Sequence, residues 1–402
     1  FFMHCFRKIT DDLYWVGASD RRIELFENIF PLSDGVSYNS YLLLDDKTVL
    51  LDSADYSVGH QFLENVQAAL NGRSLDYLIV NHMEPDHCAM IDELVLRYPD
   101  MQIIGNAKTF PMIDQFFNFD LEGKKVIVKE GDTFCTGKHT LHFVMAPMVH
   151  WPEVMMTYDE ADKILFCADA FGTFKALNGN IFNDEVNFDR DWLDEARRYY
   201  TNIVGKYGMQ VQAVLKKAAG LDIQMLCPLH GPIWRTDLDY IIGKYDKWSR
   251  YEPEEKGVMI AYASMYGNTE NMAEILAAKL AQAGVKDIRM HNISKTHVSE
   301  LIADSFKYSH IVLAAPTYNN GIYPLMDNYL EDMKALALKN RTIAVLGNGS
   351  WAPQSTKLIS TKISEMKDMS LMVATVTIKS SVKEAQMEEL DSLARQIAEE
   401  VL

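Results

Sequence analysis

The part of the chain after residue 252 alternates between short apolar runs and amphipathic segments, and this alternation constrains the fold most strongly. Strand-like runs lie at 258–264, 287–291, 310–315, 342–346 and 371–375. Segments with helical spacing include 269–283, 323–338, 356–367 and 382–401. This order predicts a doubly wound sheet of five parallel strands, with a ligand crevice at the carboxyl ends of the strands.

The first part of the chain is less regular and richer in strands. Strand-like runs lie at 13–16, 39–44, 48–53, 77–81, 125–128, 141–144 and 164–167, and a helical segment lies at 60–71. This pattern predicts a mixed α/β sandwich that carries its chemistry on loops. The polar, proline-bearing stretch 251–256 is typical of a linker. A chain of 402 residues is also longer than one hydrophobic core usually supports. We therefore expect two domains, 1–252 and 253–402.

Charge and cysteine content limit the partners and the compartment. The net charge of −17 argues against nucleic acid and against an anionic membrane surface as partners. The five cysteines are an odd number without a C-x-x-C pair, which disfavours a disulfide framework or a built-in rubredoxin and fits a reducing compartment. No apolar run reaches the ~20 residues that cross a bilayer, and no secretion signal is recognisable. The sequence predicts a cytoplasmic protein.

A cluster of possible metal ligands follows the strand-like run 77–81. Residues 81–87 read N-H-M-E-P-D-H, which places His82, Glu84, Asp86 and His87 within six residues. In an extended loop alternate residues face one side, so we expect His82, Glu84 and Asp86 to converge and His87 to turn inward beside them. Four such residues together are far less expected by chance than one histidine alone.

Three later residues are candidates to complete this site. His150, Asp169 and His230 each follow an apolar, strand-like run. With the cluster they match a metallo-β-lactamase-like pattern, except that Glu84 stands where zinc hydrolases of this type usually have histidine. Four histidines and three carboxylates could hold two metals, each with two imidazoles and one carboxylate, and the third carboxylate as a bridge. This donor set favours non-haem iron and leaves manganese and zinc open.

The second half contains loops suited to a flavin phosphate and ring. The segment 264–269 ends the first strand of that half and opens a helix, where backbone N–H groups favour phosphate. Loops after the third and fourth strands supply polar groups and two aromatic rings. No acidic residue is placed for a dinucleotide ribose and no G-x-G-x-x-G occurs, so FMN is preferred over NAD. The predicted FMN contacts are Ser264, Met265, Tyr266, Gly267, Asn268, Thr269, Pro316, Thr317, Tyr318, Asn319, Asn348, Gly349, Ser350 and Trp351.

Together these motifs resemble the flavodiiron protein family over essentially the whole chain. N-H-x-E-x-D-H, H-W-P, D-A-F-G, H-G-P-I-W-R and Y-G-N-T-E occur in family order. The resemblance implies a metallo-β-lactamase-like αββα sandwich followed by a flavodoxin-like domain. It further implies that His82, Glu84 and His150 hold one iron, that Asp86, His87 and His230 hold the other, and that Asp169 bridges them.

The family resemblance also implies an activity and partners. Family members pass electrons from FMN to the iron pair, which reduces oxygen to water or nitric oxide to nitrous oxide. They pair head to tail, so a homodimer or a dimer of dimers is expected. The donor is expected to be external: rubredoxin, a flavin reductase or a reduced deazaflavin. Tyr200, or its neighbour Tyr199, resembles a tyrosine of the family's substrate pocket, and we assign Tyr200 as the catalytic candidate.

Two segments depart from the family pattern, and two alternative functions stay open. The loop 347–353 reads G-N-G-S-W-A-P instead of the common G-S-Y-G-W. The segment 19–28 lacks a histidine that some members have, and contains Glu24 and Glu27. The alternatives are a dizinc hydrolase of the metallo-β-lactamase fold and a flavodoxin-type electron carrier whose metal site is structural.

Overall fold

A computed structural model describes residues 4–402, which divide into two compact units. One unit comprises the residues up to Tyr200 together with Met209–Asp246, and the other comprises Thr201–Gly208 and Lys247–Leu402. The last helix of the first half ends at Ser249, and the first strand of the second half begins at Glu255. The predicted boundary at residues 252 and 253 lies between these two elements and stays a prediction.

The first half of the chain contains short strands arranged mainly in two sheets. The strands are β1 (Arg7–Lys8), β2 (Leu13–Trp15), β3 (Ala18–Asp20), β4 (Leu25–Phe26), β5 (Phe30–Pro31), β6 (Val36–Tyr38), β7 (Tyr41–Leu44), β8 (Thr48–Leu51), β9 (Tyr77–Ile79), β10 (Gln102–Asn106), β11 (Lys125–Val128), β12 (Thr133–Cys135), β13 (Thr140–Met145), β14 (Met155–Asp159), β15 (Ile164–Phe166) and β16 (Met225–Cys227). One sheet has the order β1-β2-β7-β8-β9-β10-β11 and the other the order β12-β13-β14-β15-β16.

Side chains and backbone groups join these two sheets. The ring of Tyr41 in β7 lies 5.4 Å from that of Phe166 in β15. Backbone hydrogen bonds link Met155 to Asn81 and Asn39 to Leu229, which ties loops of one sheet to the other. The helices of this half are α1 (Gly59–Leu70), α2 (Pro85–Cys88), α3 (Ile91–Arg97), α4 (Thr109–Phe116), α5 (Phe188–Asp191), α6 (Leu193–Tyr199), α7 (Gly208–Ala218) and α8 (Leu238–Ser249). The predicted mixed α/β sandwich is confirmed.

The second half alternates strands and helices as predicted. Its strands are β17 (Glu255–Tyr262), β18 (Ile288–Asn292), β19 (Tyr308–Tyr318), β20 (Gly321–Ile322), β21 (Thr342–Asn348), β22 (Ser370–Leu371) and β23 (Val376–Ile378). Its helices are α9 (Asn268–Gln282), α10 (Val298–Lys307), α11 (Pro324–Ala335), α12 (Ser355–Ser364) and α13 (Glu384–Val401). The main sheet has the order β18-β17-β19-β21-β22, and its strands are parallel. This is the doubly wound topology that the sequence predicts.

Burial on both faces explains the continuous apolar strands of this sheet. Val258 and Ile260 of β17 share a core cluster with Leu276 of α9 and Leu393 of α13. Met259, which points the other way, accepts hydrogen bonds at its sulfur from Ser305 of α10 and Tyr329 of α11. Side chains of a strand alternate between faces, so one strand packs against helices on both sides.

The fifth strand differs from the prediction. The sequence places it at 371–375, whereas two separate short strands, β22 and β23, both pair in parallel with β21. Residues 372–375 between them lie outside any strand, and Val373 is fully exposed. The apolar run therefore marks the break between the two strands, because apolar character alone does not distinguish a paired strand from an exposed loop. Within residues 4–402, none of the helices is both long and apolar enough to cross a membrane.

Candidate metal centre and flavin site

The candidate metal ligands lie in loops that follow strands of the two sheets. His82 and Glu84 follow β9, Asp169 follows β15 and His230 follows β16. His150 lies in the loop between β13 and β14. All seven candidate side chains are at most 8% exposed, so the sheets bring polar groups from four segments into one buried cluster: His82, Glu84, Asp86, His87, His150, Asp169 and His230.

The cluster is arranged differently from the extended loop that alternation predicted. The chain is extended at Glu84 but turns into the short helix α2 at Pro85, the first helical residue. Proline is favoured at that position because its φ angle is already helical and its missing N–H has no partner there anyway. Asp86 and His87 are therefore adjacent on a helical turn. Asp86 and His87 lie in a group with His230, whereas His82 and Glu84 lie in a group with His150 and Asp169.

The first group joins His82, Glu84 and His150. Glu84 Oε2 lies 3.3 Å from His82 Nε2 and 3.0 Å from His150 Nε2. Burial raises the pKa of Glu84, but hydrogen bonds from His150 and His82 outweigh it and hold the pKa well below its usual range. Burial lowers the pKa of His150, and its carboxylate neighbours reverse this and raise it to about 9. The group keeps an ionised carboxylate facing two imidazoles.

The second group joins Asp86, His87 and His230. Asp86 Oδ2 lies 3.2 Å from His87 Nε2 and 3.3 Å from His230 Nε2. The two Nε2 atoms are 3.1 Å apart. Two ring nitrogens that point at each other at this distance need a cation or a shared proton between them. The second group thus has the same composition as the first: two imidazoles and one carboxylate.

Asp169 lies between the two groups, with one carboxylate oxygen toward each. Its Oδ2 lies 3.2 Å from His82 Nε2 and 3.1 Å from His150 Nε2. Its Oδ1 lies 3.2 Å from His87 Nε2 and 3.7 Å from His230 Nε2. Burial raises the pKa of Asp169, but the charges of His82 and His87 hold it well below its usual range. This placement is that of a carboxylate that bridges two cations.

The unsatisfied atoms of the centre fit metal ions. Both carboxylate oxygens of Asp86 and of Asp169 are buried without a hydrogen-bond partner among residues 4–402. Buried carboxylate oxygens are rarely left in this state, because desolvation is costly unless a donor or a cation compensates it. Four imidazoles and three carboxylates supply nitrogen and oxygen donors for two ions, which suits non-haem iron.

The ligand loops contain strained backbone. Met148, Ala168 and Phe171 have φ angles of 65°, 49° and 66°, in the left-handed region that non-glycine residues rarely adopt. Met148 lies two residues before His150, and Ala168 directly precedes Asp169. Gly231, next to His230, has φ of 79°, and a Cβ atom there would lie 2.0 Å from a methyl carbon of Thr173. Strain of this kind clusters at functional sites, where surrounding packing holds it in place.

Several residues that sequence reasoning did not assign contact the centre. Glu153 accepts a hydrogen bond from His82 Nδ1 at 2.8 Å, and the carbonyl oxygen of Ser37 accepts one from His230 Nδ1 at 2.7 Å. Glu27 lies beside Glu84, and burial and that contact raise the pKa of Glu27 to about 8. Glu153 lies three residues after His150, but no local pattern pairs it with His82, because the contact joins two separate loops.

The two adjacent tyrosines have different surroundings. The Tyr199 ring lies 5.3 Å from that of His230 and 5.1 Å from that of Phe174. Its hydroxyl is buried without a hydrogen-bond partner in the described chain. The Tyr200 ring instead lies 4.8 Å from that of Tyr245. These contacts place Tyr199 at the centre; the catalytic assignment of Tyr200 stays a prediction that they do not support.

A cavity of about 580 Å³ lies at the carboxyl ends of β17, β19 and β21. A volume in this range suits a cofactor of FMN size. Every predicted flavin contact except Gly267 lines it, and so do three residues that were not predicted, Asn320, Ala352 and Ser380. The lining contains hydroxyl and amide groups and no carboxylate, which suits a phosphate-bearing ligand in an otherwise acidic protein.

Gly267 shapes the cavity without lining it. It precedes α9 with φ of 92°, and its N–H donates to Ser264 Oγ at 3.0 Å. A glycine is favoured there because the conformation is strained for other residues. The turn brings the first N–H groups of α9 to the cavity, where the helix dipole favours an anion. The rings of Tyr266 and Trp351 are about nine-tenths exposed at the cavity's edge.

Asn348 is engaged with protein atoms on both sides of its amide. Its Nδ2 donates to Thr269 Oγ1 at 3.2 Å and to the Ser380 carbonyl oxygen at 3.0 Å. Its Oδ1 accepts from the Ser380 N–H at 2.9 Å. Ser350 Oγ lies 2.8 Å from Ser380 Oγ. Asn348 thus ties the phosphate-side loop to the loop after β23.

Comparison with family models matches both halves of the chain. Residues 36–231 match the ODP family beta lactamase model, and residues 260–392 match the flavodoxin model. A flavodoxin domain implies FMN, which agrees with the composition of the cavity. The predicted order of a lactamase-like domain followed by a flavodoxin-like domain is confirmed.

Whole proteins with both domains are similar to this chain. An anaerobic nitric oxide reductase flavorubredoxin of Shigella dysenteriae is 30% identical over 362 residues, which cover 89% of this chain and 75% of the relative. The rubredoxin oxygen:oxidoreductase of Desulfovibrio gigas has 27% identity and a TM-score of 0.91, with 98% of each chain covered. The flavodiiron protein of Giardia intestinalis, at 24% identity and a TM-score of 0.92 over 98% of this chain and 96% of its own, shares the fold. The homologues are oxidoreductases, and this chain belongs to the flavodiiron protein family.

Proposed function

We propose that this protein reduces oxygen to water, nitric oxide to nitrous oxide, or both, at a pair of irons that receives electrons through FMN. The position of Asp169 carries the proposal, because its two carboxylate oxygens face two separate pairs of imidazoles. A flavin-sized cavity in the same chain supplies the reason for redox chemistry rather than hydrolysis. The similar flavorubredoxin and rubredoxin oxygen:oxidoreductase support both gases as candidate substrates.

Each residue of the centre has a proposed role. His82, Glu84 and His150 would hold one iron, Asp86, His87 and His230 would hold the other, and Asp169 would bridge them. When bound, the iron pair and FMN would supply the electrons for reduction of the substrate. The lowered pKa values of Glu84 and Asp169 keep these two carboxylates ionised, and each group provides the two-histidine, one-carboxylate donor set typical of non-haem iron.

Aromatic packing keeps the second group dry. Phe26 and Tyr199 each lie against the ring of His230, with centroid separations of 5.6 Å and 5.3 Å. Exclusion of water strengthens electrostatic interactions inside the site. The Tyr199 hydroxyl is buried at this aromatic wall without a hydrogen-bond partner among residues 4–402, and we assign it to hydrogen bonding with the bound substrate in place of Tyr200.

The flavin site also has proposed contacts. The α9 N-terminus and the hydroxyls of Ser264 and Thr269 would bind the FMN phosphate, and the rings of Tyr318 and Trp351 would contact the isoalloxazine. The other predicted contacts, from Met265 through Ser350, line the same cavity apart from Gly267. Asn348 holds these loops in place through its hydrogen bonds to Thr269 and Ser380.

The partners follow from the same proposal. The electron donor is a separate protein or cofactor, of which rubredoxin, a flavin reductase and a reduced deazaflavin are the candidates. The names of the flavorubredoxin and rubredoxin oxygen:oxidoreductase relatives favour rubredoxin. A head-to-tail homodimer in the cytoplasm, with domains 1–252 and 253–402, completes the proposal.

Metal analysis and gas consumption test this function together. Protein prepared without oxygen is expected to contain two irons and one FMN per chain. With a suitable reductase it is expected to consume oxygen or nitric oxide, and side-by-side electrodes give the preference between the gases. Stoichiometric zinc without iron, or hydrolysis of a thioester without reductant-dependent gas consumption, would refute the redox assignment in favour of the dizinc hydrolase.

Asp169→Asn tests the bridge. The variant keeps the shape of the side chain and removes its charge, so iron is expected to be lost and turnover to stop while FMN stays bound. Glu160→Gln, an exposed carboxylate paired with His142, is the matched control and is expected to behave as wild type. Full iron content and turnover in Asp169→Asn would contradict the bridging role.

A further inference from the structure

The imidazoles of the metal centre differ in what holds their second ring nitrogen. His82 Nδ1 lies 2.8 Å from the carboxylate oxygen Oε1 of Glu153. His230 Nδ1 lies 2.7 Å from the neutral carbonyl oxygen of Ser37. His87 Nδ1 is buried, with no hydrogen-bond partner among residues 4–402. Of these three rings, only His82 contacts a carboxylate through its second nitrogen, so only one of the two metal positions has this contact among them.

Glu153 is held in place by contacts of its own. Its Oε1 also accepts from the backbone N–H of Met83 at 2.8 Å, so one oxygen binds both His82 and the residue after it. The backbone carbonyl of Glu153 accepts a hydrogen bond from Asn106 Nδ2 at the end of β10. The side chain is fully buried. The carboxylate is therefore fixed before a metal ion arrives, and it fixes the orientation of the His82 ring.

Burial of the Glu153 carboxylate is energetically unfavourable, and its contact with the His82 ring explains why it is buried. Its second oxygen, Oε2, is buried without a hydrogen-bond partner in the described part of the chain. A buried carboxylate with only one hydrogen-bonded oxygen is unfavourable. An apolar side chain would fill the same space at a lower cost in free energy. Its oxygen Oε1, which contacts both His82 Nδ1 and Met83 N–H, accounts for its presence.

We propose that Glu153 is a positioning residue that holds His82 in the tautomer with the proton on Nδ1, so that Nε2 is free to bind metal. Metal binding by His82, Glu84 and His150 then depends on Glu153, whereas binding by Asp86, His87 and His230 does not. The two positions therefore differ in metal affinity, although their ligand types are the same. This inference rests on the ligand assignment of the proposed function.

A general property of metal sites gives the expected size. A histidine ligand that donates its other N–H to a carboxylate is oriented and made more basic, and loss of that partner weakens metal binding by about 10–100-fold. Glu153→Leu removes both the charge and the hydrogen bond. Glu153→Gln removes the charge, but its amide oxygen can still accept from His82 and Met83, so it is expected to cost less.

Cobalt binding to metal-free, full-length protein tests the proposal. Co²⁺ is titrated in competition with a chelator, and wild type is expected to bind two ions per chain. Glu153→Leu is expected to weaken one of the two binding events by about 10–100-fold and to leave the other unchanged. Glu160→Gln is the control. It changes another histidine–glutamate pair, in which Glu160 lies 2.9 Å from His142 away from the centre, and it is expected to match wild type.

The variants distinguish the possible failures. FMN content and thermal unfolding show whether Glu153→Leu folds; if it does not, the nearly isosteric Glu153→Gln decides. Wild-type affinity for both ions in the variants that fold, or equal weakening of both ions in Glu153→Gln, would overturn the positioning role. If Asp169→Asn leaves both cobalt affinities unchanged, the ligand assignment itself fails, and with it the proposed function.

Discussion

Replacing Asn348 with alanine tests whether the flavin cavity depends on a clamp between loops. The side chain makes three hydrogen bonds, two to the backbone of Ser380 and one to Thr269, and is 7% exposed. These bonds use both N–H groups of the amide and one lone pair of its oxygen, so we expect its effect on FMN to be indirect. Asn348→Ala is expected to loosen Ser380 and Thr269 together while leaving the cavity's volume nearly unchanged.

The structure gives the magnitude. Each hydrogen bond contributes about 0.5–1.5 kcal/mol net, so the three together hold the loops with roughly 1.5–4.5 kcal/mol. In the alanine variant, water can hydrogen-bond to some of the groups that Asn348 leaves behind. Only the fraction of this free energy that orders the loops for FMN is expected to change the FMN affinity. An effect of about 1–2 kcal/mol on binding corresponds to a roughly 5–30-fold rise in the FMN dissociation constant.

Flavin fluorescence measures this effect directly. Full-length protein is freed of FMN and titrated with it, and quenching gives the dissociation constant for wild type and Asn348→Ala. Asn328→Ala, an exposed asparagine on α11, is the matched control. Hydrogen exchange at Ser380 is expected to accelerate in Asn348→Ala alone. An unchanged dissociation constant with unchanged exchange at Ser380 would refute the clamp.

Three further changes test the first half of the chain. Tyr199→Phe is expected to lower turnover roughly tenfold at constant iron content, through loss of one buried hydrogen bond, whereas Tyr200→Phe is expected to leave it unchanged; the reverse result would restore the original assignment. Phe62→Ala, at a fully buried position of α1, is expected to lower the free energy of unfolding by about 3–5 kcal/mol in urea titrations, and a loss below 1 kcal/mol would contradict close packing there. Burial lowers the pKa of His139, but Asp159 and Asp12 outweigh it and raise the pKa from 6.5 to about 9. The stabilisation of the fold by protonated His139 is thus complete below pH 6.5 and is lost as pH rises to about 9. The thermal midpoint of wild type is therefore expected to fall across that window more than that of His139→Gln. Equal pH dependence of the two thermal midpoints would count against a stabilising contact of His139 with Asp159 and Asp12.

The proposed ligand asymmetry has a consequence for the order of metal loading. The position built from His82, Glu84 and His150 contains the carboxylate-supported ring, so it is expected to fill first when metal is limiting. At the second position the two Nε2 atoms lie 3.1 Å apart, so an ion that binds there must displace the proton that they share in its absence. A one-metal form of the protein is therefore expected to hold its ion beside Glu84.

Periodicity in the sequence was sufficient to predict the doubly wound sheet and the strand-rich sandwich. Apolar runs and helical spacing are local properties, and they reflect burial on one or both faces of an element. The fifth strand is the exception, because residues 372–375 lie outside any strand although most of them are apolar. Hydrophobicity predicts that a segment can be buried, whereas pairing depends on the neighbouring strand.

The sequence by itself determined which residue types are available for two metals and a flavin, because the donors lie in compact motifs that end strands. Tertiary structure decided which of them face one another: Asp86 groups with His87 and His230, and Asp169 directs one oxygen to each pair of histidines. It also revealed Glu153, which contacts His82 across 71 residues, and the contact of Tyr199 with His230. The physical reason is that sheet pairing brings distant loops together, and no local pattern encodes that register.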